Sequence, residues 1–216
     1  TPARTPALTE VEVKVVDERG GELPCRITVV DQAGALAPIL ADTNSGESAR
    51  PLAIRPGVAY TGDGRAKFDL RPGKYSVFAS RGFEYGVERR EVVIGPNGVE
   101  TVSMQLVREV RTPGWVSCDP HTHTFTHTRH GDATIEERML TIAGENIELP
   151  VATDHNVHIS YEEIARKLGV RRWFTPIVGN EVTTAVGHFN IFPVEVSAPV
   201  VDAKITDWPK LMTAIR

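Results

Sequence analysis

All seven histidines of the chain fall between His121 and His188, and the first 120 residues hold none. The segment Asp119-Pro120-His121-Thr122-His123 sets two imidazoles two residues apart. On a β-strand, residues i and i+2 share a face, so His121 and His123 can grip one ion together. Thr153-Asp154-His155, Gly179-Asn180-Glu181 and Gly187-His188 follow in order. Neutral imidazole and carboxylate are the usual ligands of zinc, manganese and iron. The pattern predicts more than one divalent ion. Such ions lower the pKa of a bound water, orient it, and stabilise an oxygen that develops charge. That is the chemistry of hydrolysis at phosphorus or carbonyl centres. His158 and Asp132 are the candidates for proton transfer beside the ions. No GxSxG-type nucleophile motif is present. Cys118 lies three residues before His121, and that odd offset puts it on the opposite face of a regular strand.

The elements that must position these residues alternate between strand and helix. Val116-Ser117-Cys118 leads into the histidine pair, and Thr134-Ile135-Glu136-Glu137 opens a helix with a capping box. Ile135, Met139, Ile142 and Ala143 line one face of that helix. Residues 149–152 form a short apolar strand ending at Asp154-His155. Residues 160–163 make a second capping box, for a helix stopping near Gly169. Residues 174–178 are a third strand leading to Glu181, and residues 187–192 a fourth. A last helix begins near Asp207-Trp208-Pro209. This is the parallel α/β grammar, with each candidate ligand at or beside the carboxyl end of its strand.

Residues 9–110 read differently. Val11, Val13 and Val15 alternate with Glu12 and Lys14, the period of a half-buried strand. Residues 25–30, 66–70, 74–79, 92–94 and 102–106 add further short strands, punctuated by Gly20-Gly21, Arg71-Pro72-Gly73 and Gly95-Pro96-Asn97-Gly98. Strands without helices predict an all-β sandwich over residues 1–111, followed by an α/β domain over residues 112–216. The loop over residues 33–56 takes no assignment, and residues 1–7 read as a Pro-rich linker or tail.

Composition bounds the rest. Of 216 residues, 41% are hydrophobic and 24% charged, as in ordinary globular proteins, and the net charge is −4. Basic residues are scattered, the longest runs being Arg89-Arg90 and Arg171-Arg172, so nucleic acid is excluded as a partner. No window approaches the ~20 apolar residues of a membrane span. Cys25 and Cys118 do not make a disulfide framework; two buried free thiols are expected, with a single bridge between them left open. The chain starts at Thr1 without a methionine, which fits a cleaved signal peptide or a trimmed terminus. A periplasmic or secreted location is expected, with a cytoplasmic one left open.

With these motifs in order, residues 115–193 resemble the PHP (polymerase and histidinol phosphatase) superfamily of metal-dependent hydrolases. His121-Thr122-His123 looks like its first motif, Thr153-Asp154-His155 its second, Gly179-Asn180-Glu181 its third, and His188 the histidine after it. The details around Trp115-Val116-Ser117-Cys118 and Ala152-Thr153-Asp154-His155-Asn156 are similar to the CehA/McbA-type branch. Members of that branch often carry a small β-sandwich first. Here Phe68-Asp69-Leu70-Arg71-Pro72-Gly73-Lys74-Tyr75 resembles a module of the carboxypeptidase-regulatory type.

The resemblance implies His121, His123, His155, Glu181 and His188 as ligands of two or three ions (zinc, manganese or iron). A further first-motif ligand is expected at Asp132, with His130 and His127 behind it. The fold implied is a distorted (βα)7 barrel, of which this chain would hold the first half. A continuation past Arg216 or a partner chain would then supply the rest, along with a later histidine and an Asp-x-His. The parent protein is expected to be the enzyme, with this chain inactive or weakly metallated alone. Its substrate would be a small phosphoester, or a carbamate or amide ester.

Plainer roles stand beside these. Asp154 orients His155, caps a turn or ligates; Asp119 supports the histidine pair; Asp132 favours the following helix dipole. His158, His127 and His130 are otherwise solvated loop histidines. Glu136, Glu137, Glu162 and Glu163 are solvated helix starts, and Arg171 and Arg172 a surface helix end. The competing function is a non-catalytic binding or structural protein whose sandwich mediates interactions and whose α/β part is an inactive remnant. A metal-dependent sugar deacetylase is a weaker third.

Overall fold

Alternation along β1 (Thr9–Asp17) sets the first layer: Val11, Val13 and Val15 are fully buried, while Glu10 and Lys14 face solvent. The computed structural model describes residues 8–40, 51–96 and 98–216. The expected linker at residues 1–7 and part of the unassigned loop, residues 41–50, lie outside them, as does Asn97 of the turn at residues 95–98. Strand takes 40% of the described residues and helix 16%, so they are mostly β. It divides into two compact units. The first runs to Gly114 and includes Ala143–Asn146, and the second comprises Trp115–Ile142 and Ile147–Arg216.

In the first unit β1 is followed by β2 (Cys25–Asp31), β3 (Leu52–Arg55), β4 (Val58–Thr61), β5 (Arg65–Leu70), β6 (Gly73–Ser80), β7 (Glu88–Ile94) and β8 (Val99–Leu106). One sheet has the order β5-β1-β8 and the other β3-β4-β2-β6-β7. The inward positions Val13 of β1, Ile27 and Val29 of β2, and Val77 and Ala79 of β6 are all fully buried. Two sheets with alternating buried faces are consistent with a β-sandwich. Strand β3 lies inside the loop left unassigned from the sequence, and β4 just after it. Each has only four residues, too short to show a period.

The second unit contains β9 (Cys118–Thr122), α1 (Phe125–Thr128), α2 (Ile135–Gly144), β10 (Leu149–Ala152), α3 (Glu162–Lys167), β11 (Ile177–Val178), β12 (Asn180–Thr184), β13 (Gly187–Ile191) and α4 (Trp208–Ile215). Strands β9, β10 and β11 form a parallel sheet in the order β11-β10-β9. The capping box at α2 is made in both directions. The Glu137 amide donates to Thr134 Oγ1 at 3.2 Å, and the Thr134 amide donates to Glu137 Oε2 at 2.9 Å. At α3 the Ser160 hydroxyl instead accepts from the Glu162 amide, and the helix ends at Lys167 ahead of Gly169 at φ +71. Asp207 caps α4 by accepting from the Lys210 amide.

Two sequence expectations need correction here. Residues 187–192 do not extend the parallel sheet: β13 pairs antiparallel with β12 in a separate hairpin. Cys118 is exposed rather than buried, because it starts β9 on the solvent side, while Cys25 is buried in β2. Both thiols are free. Among the described residues these strands do not close into a barrel, and no helix is long and apolar enough to cross a membrane.

Candidate metal centre

Strands β9 and β10 deliver their chemistry at or just beyond their carboxyl ends, whereas Glu181 and His188 are the second residues of β12 and β13. Strand β9 carries His121 and hands over to His123, and β10 ends three residues before His155. His155 bridges in parallel register to Glu181 of β12, and the hairpin register sets His188 opposite Thr183. Glu181 is the centre of the group, 3% exposed. Its Oε2 lies 3.0 Å from His121 Nε2, 2.9 Å from His123 Nε2 and 3.3 Å from His155 Nδ1. Its Oε1 lies 2.6 Å from His188 Nδ1.

Three overlapping sets of potential ligands result: His121, His123 and Glu181; His155, Glu181 and His188; and His123, His130 and His155. His121, His123, His155, Glu181 and His188, all singled out in the sequence, are thus brought together. Asp132 is not; it is exposed and outside all three sets. His130 stands there instead, with Nδ1 2.7 Å from His155 Nε2. The chain takes left-handed conformations at Arg129 and Gly131, on either side of His130. His127 is exposed on α1 and lies in none of the sets. Nor does His158, whose two ring nitrogens are buried without a hydrogen-bond partner.

The donor set fits divalent ions. Two donors each about 2.0–2.2 Å from one ion sit roughly 3 Å apart. The 2.9 Å between His121 Nε2 and His123 Nε2 has that spacing. Hydrogen bonding alone leaves the cluster unsatisfied, since His123 Nδ1 is buried with no partner. Burial, and then the neighbouring His155 ring, lower the pKa of His123; burial also lowers that of His155. Burial raises that of Glu181, but hydrogen bonds from His121 and His188 outweigh it and the net shift is downward. These shifts favour neutral imidazole at His123 and His155 and an ionised carboxylate at Glu181, the forms in which such groups bind a metal ion.

Several supporting residues surround the cluster, and of these Thr183 carried no sequence signal. Thr183 Oγ1 donates to the Glu181 carbonyl at 3.3 Å and lies 2.6 Å from His155 Nδ1. A Thr183 hydroxyl that donates to that carbonyl accepts from Nδ1–H, which leaves the Nε2 lone pair of His155 facing His130. Asn156, at φ +53, donates its amide to the Glu181 carbonyl at 3.0 Å and accepts from the Thr183 amide at 2.9 Å, fixing β12 beside His155. Asp119 Oδ1 accepts from the His121 amide at 3.1 Å, as a supporting residue would. Asp154 is fully buried and turned toward Thr124 and Thr128 rather than into the sets. Arg171 is engaged by Glu162 and the Phe174 carbonyl, which fits a helix-end role.

No protein-family model matches the chain, and no curated protein matches it. Among solved structures it is similar to the TIE protein of Bacillus anthracis, 19% identical over 47% of this chain and 17% of that one, with a TM-score of 0.33. It is also similar to the pilus 2b backbone protein of group B streptococcus, 15% identical over 46% of this chain and 41% of that one, at 0.32. The chain therefore spans less than half the length of either. At TM-scores this low the likenesses decide nothing about fold or chemistry.

Proposed function

We propose that the second unit carries the metal centre of a hydrolase of the polymerase and histidinol phosphatase type, acting on small phosphoesters or on carbamate or amide esters. The observation that carries this reading is the convergence of five histidines on or beside one buried carboxylate, Glu181. His121, His123, His130, His155, Glu181 and His188 would hold two or three divalent ions of zinc, manganese or iron. When bound, such ions supply Lewis acidity and a water nucleophile at neutral pH. Glu181, with one oxygen toward His121 and His123 and the other toward His188, holds the two sides of the cluster at a fixed separation. Thr183 fixes the tautomer of His155. His158, whose two ring nitrogens are buried without a hydrogen-bond partner, is the candidate to move a proton to a leaving group once substrate opens a path to it. The first unit is proposed to be a module of the carboxypeptidase-regulatory type, its most telling segment forming the end of β5, the turn and the start of β6.

Turnover of an aryl phosphate and an aryl carbamate, with each metal added in turn, tests the reading. Hydrolysis of one of them should vanish with chelator and return with metal. His158→Gln should lower kcat by about 10²- to 10⁴-fold with metal content unchanged. A metal-replete chain that cleaves neither ester supports the non-catalytic alternative instead.

A further inference from the structure

The two residues before His155 contact the backbone on both sides of His123. The Thr153 amide and Thr153 Oγ1 donate to the Thr122 carbonyl at 3.0 and 3.2 Å, and Tyr161 Oη donates to the same oxygen at 3.4 Å. Asp154 takes the other side. Its Oδ1 accepts from the Thr124 amide at 2.8 Å, Thr124 Oγ1 at 3.1 Å and Thr128 Oγ1 at 2.9 Å, and its Oδ2 accepts from Thr124 Oγ1 at 3.0 Å. Asp154 and Thr124 are both fully buried. A carboxylate out of water is costly unless its lone pairs are met, and here the donors are neutral hydroxyls and one backbone amide. What those donors belong to is the segment that carries two members of the cluster. Thr124 follows His123 directly, and Thr128 closes α1 two residues before His130.

We propose that Asp154 is a positioning residue for the metal centre, fixing His123 and His130 against His155 by holding the Thr124–Thr128 segment. The role rests on the reading of the cluster as a metal centre. Because Asp154 adjoins His155 in sequence and grips the other segment through its side chain, one residue sets the spacing between the first-motif and second-motif imidazoles. An asparagine of the same size keeps one acceptor oxygen for the Thr124 and Thr128 donors but loses the second acceptor and the charge, so its grip on the segment weakens.

The test uses the full chain with Co2+ alone as the probe. In Asp154→Asn, cobalt affinity should fall by about 10- to 100-fold, the range for residues that hold ligands in place. The visible absorption of bound cobalt should change in position or intensity, while far-ultraviolet circular dichroism stays as in the wild type. Thr128→Val removes a single hydroxyl from a half-buried position and should act in the same direction more weakly; it decides the matter if Asp154→Asn does not fold. A folded variant with the wild-type cobalt spectrum and affinity overturns the proposal alone. A wild-type chain that takes up no cobalt overturns the metal reading and this role with it.

Discussion

Glu181 is approached by four imidazoles yet lies on a strand whose other members are uncharged, and this contrast separates what spacing can show from what only contact can show. The histidine motifs were legible because imidazole is a rare residue with few structural uses. That His130 rather than Asp132 joins one of the sets was not, since spacing does not encode the left-handed turns at Arg129 and Gly131 on either side of it. Nor was Thr183 legible, because its bond to His155 joins residues nearly thirty positions apart. The cysteines make a separate test at this scale. Burial pushes the Cys25 thiol up to about 12, whereas Cys118 is exposed. At pH 8 the Cys25 thiol is therefore protonated as well as inaccessible. One thiol per native chain should react promptly with a disulfide reagent, and two in denaturant. Two fast thiols in the native chain would contradict the placement of Cys25.

Among the elements, helices were read best where their ends carry side-chain chemistry. The box at Thr134 and Glu137 is made as the sequence predicts, and Thr134→Ala should cost about 1 kcal/mol in denaturant unfolding. An unchanged midpoint would mean that the box forms without contributing. The β12–β13 hairpin escaped because its two-residue link, Ala185-Val186, has none of the Asn-Gly or Asp-Gly chemistry that marks such turns. Here Thr184 does that work, its hydroxyl accepting from the Val186 amide and donating to the Gly187 carbonyl. Gly179 joins β11 to β12 where no side chain fits. A Cβ would stand 2.7 Å from Val151 Cγ1 and 3.0 Å from the Ile191 carbonyl oxygen. Gly179→Ala should cost about 1–3 kcal/mol as overpacking, read as a lowered denaturant midpoint. A midpoint at the wild-type value would show that the strands can move apart there freely.

At the scale of the whole molecule, the switch from sheet-only to strand-and-helix grammar was visible in the sequence because burial periods of two and of 3.6 residues differ. The boundary lies at Gly114, with Ala143–Asn146 counted in the first unit, a detail no linear reading could supply. The proposed function rests on the second unit, and within it on whether the cluster around Glu181 holds metal. The most direct measurement is metal content per chain by elemental analysis, on wild type and Glu181→Gln purified without chelator. About two ions per wild-type chain, lost together in Glu181→Gln, is the result predicted for a multinuclear centre. A wild-type chain that carries no metal, and takes up none when zinc, manganese or iron is supplied, would contradict it.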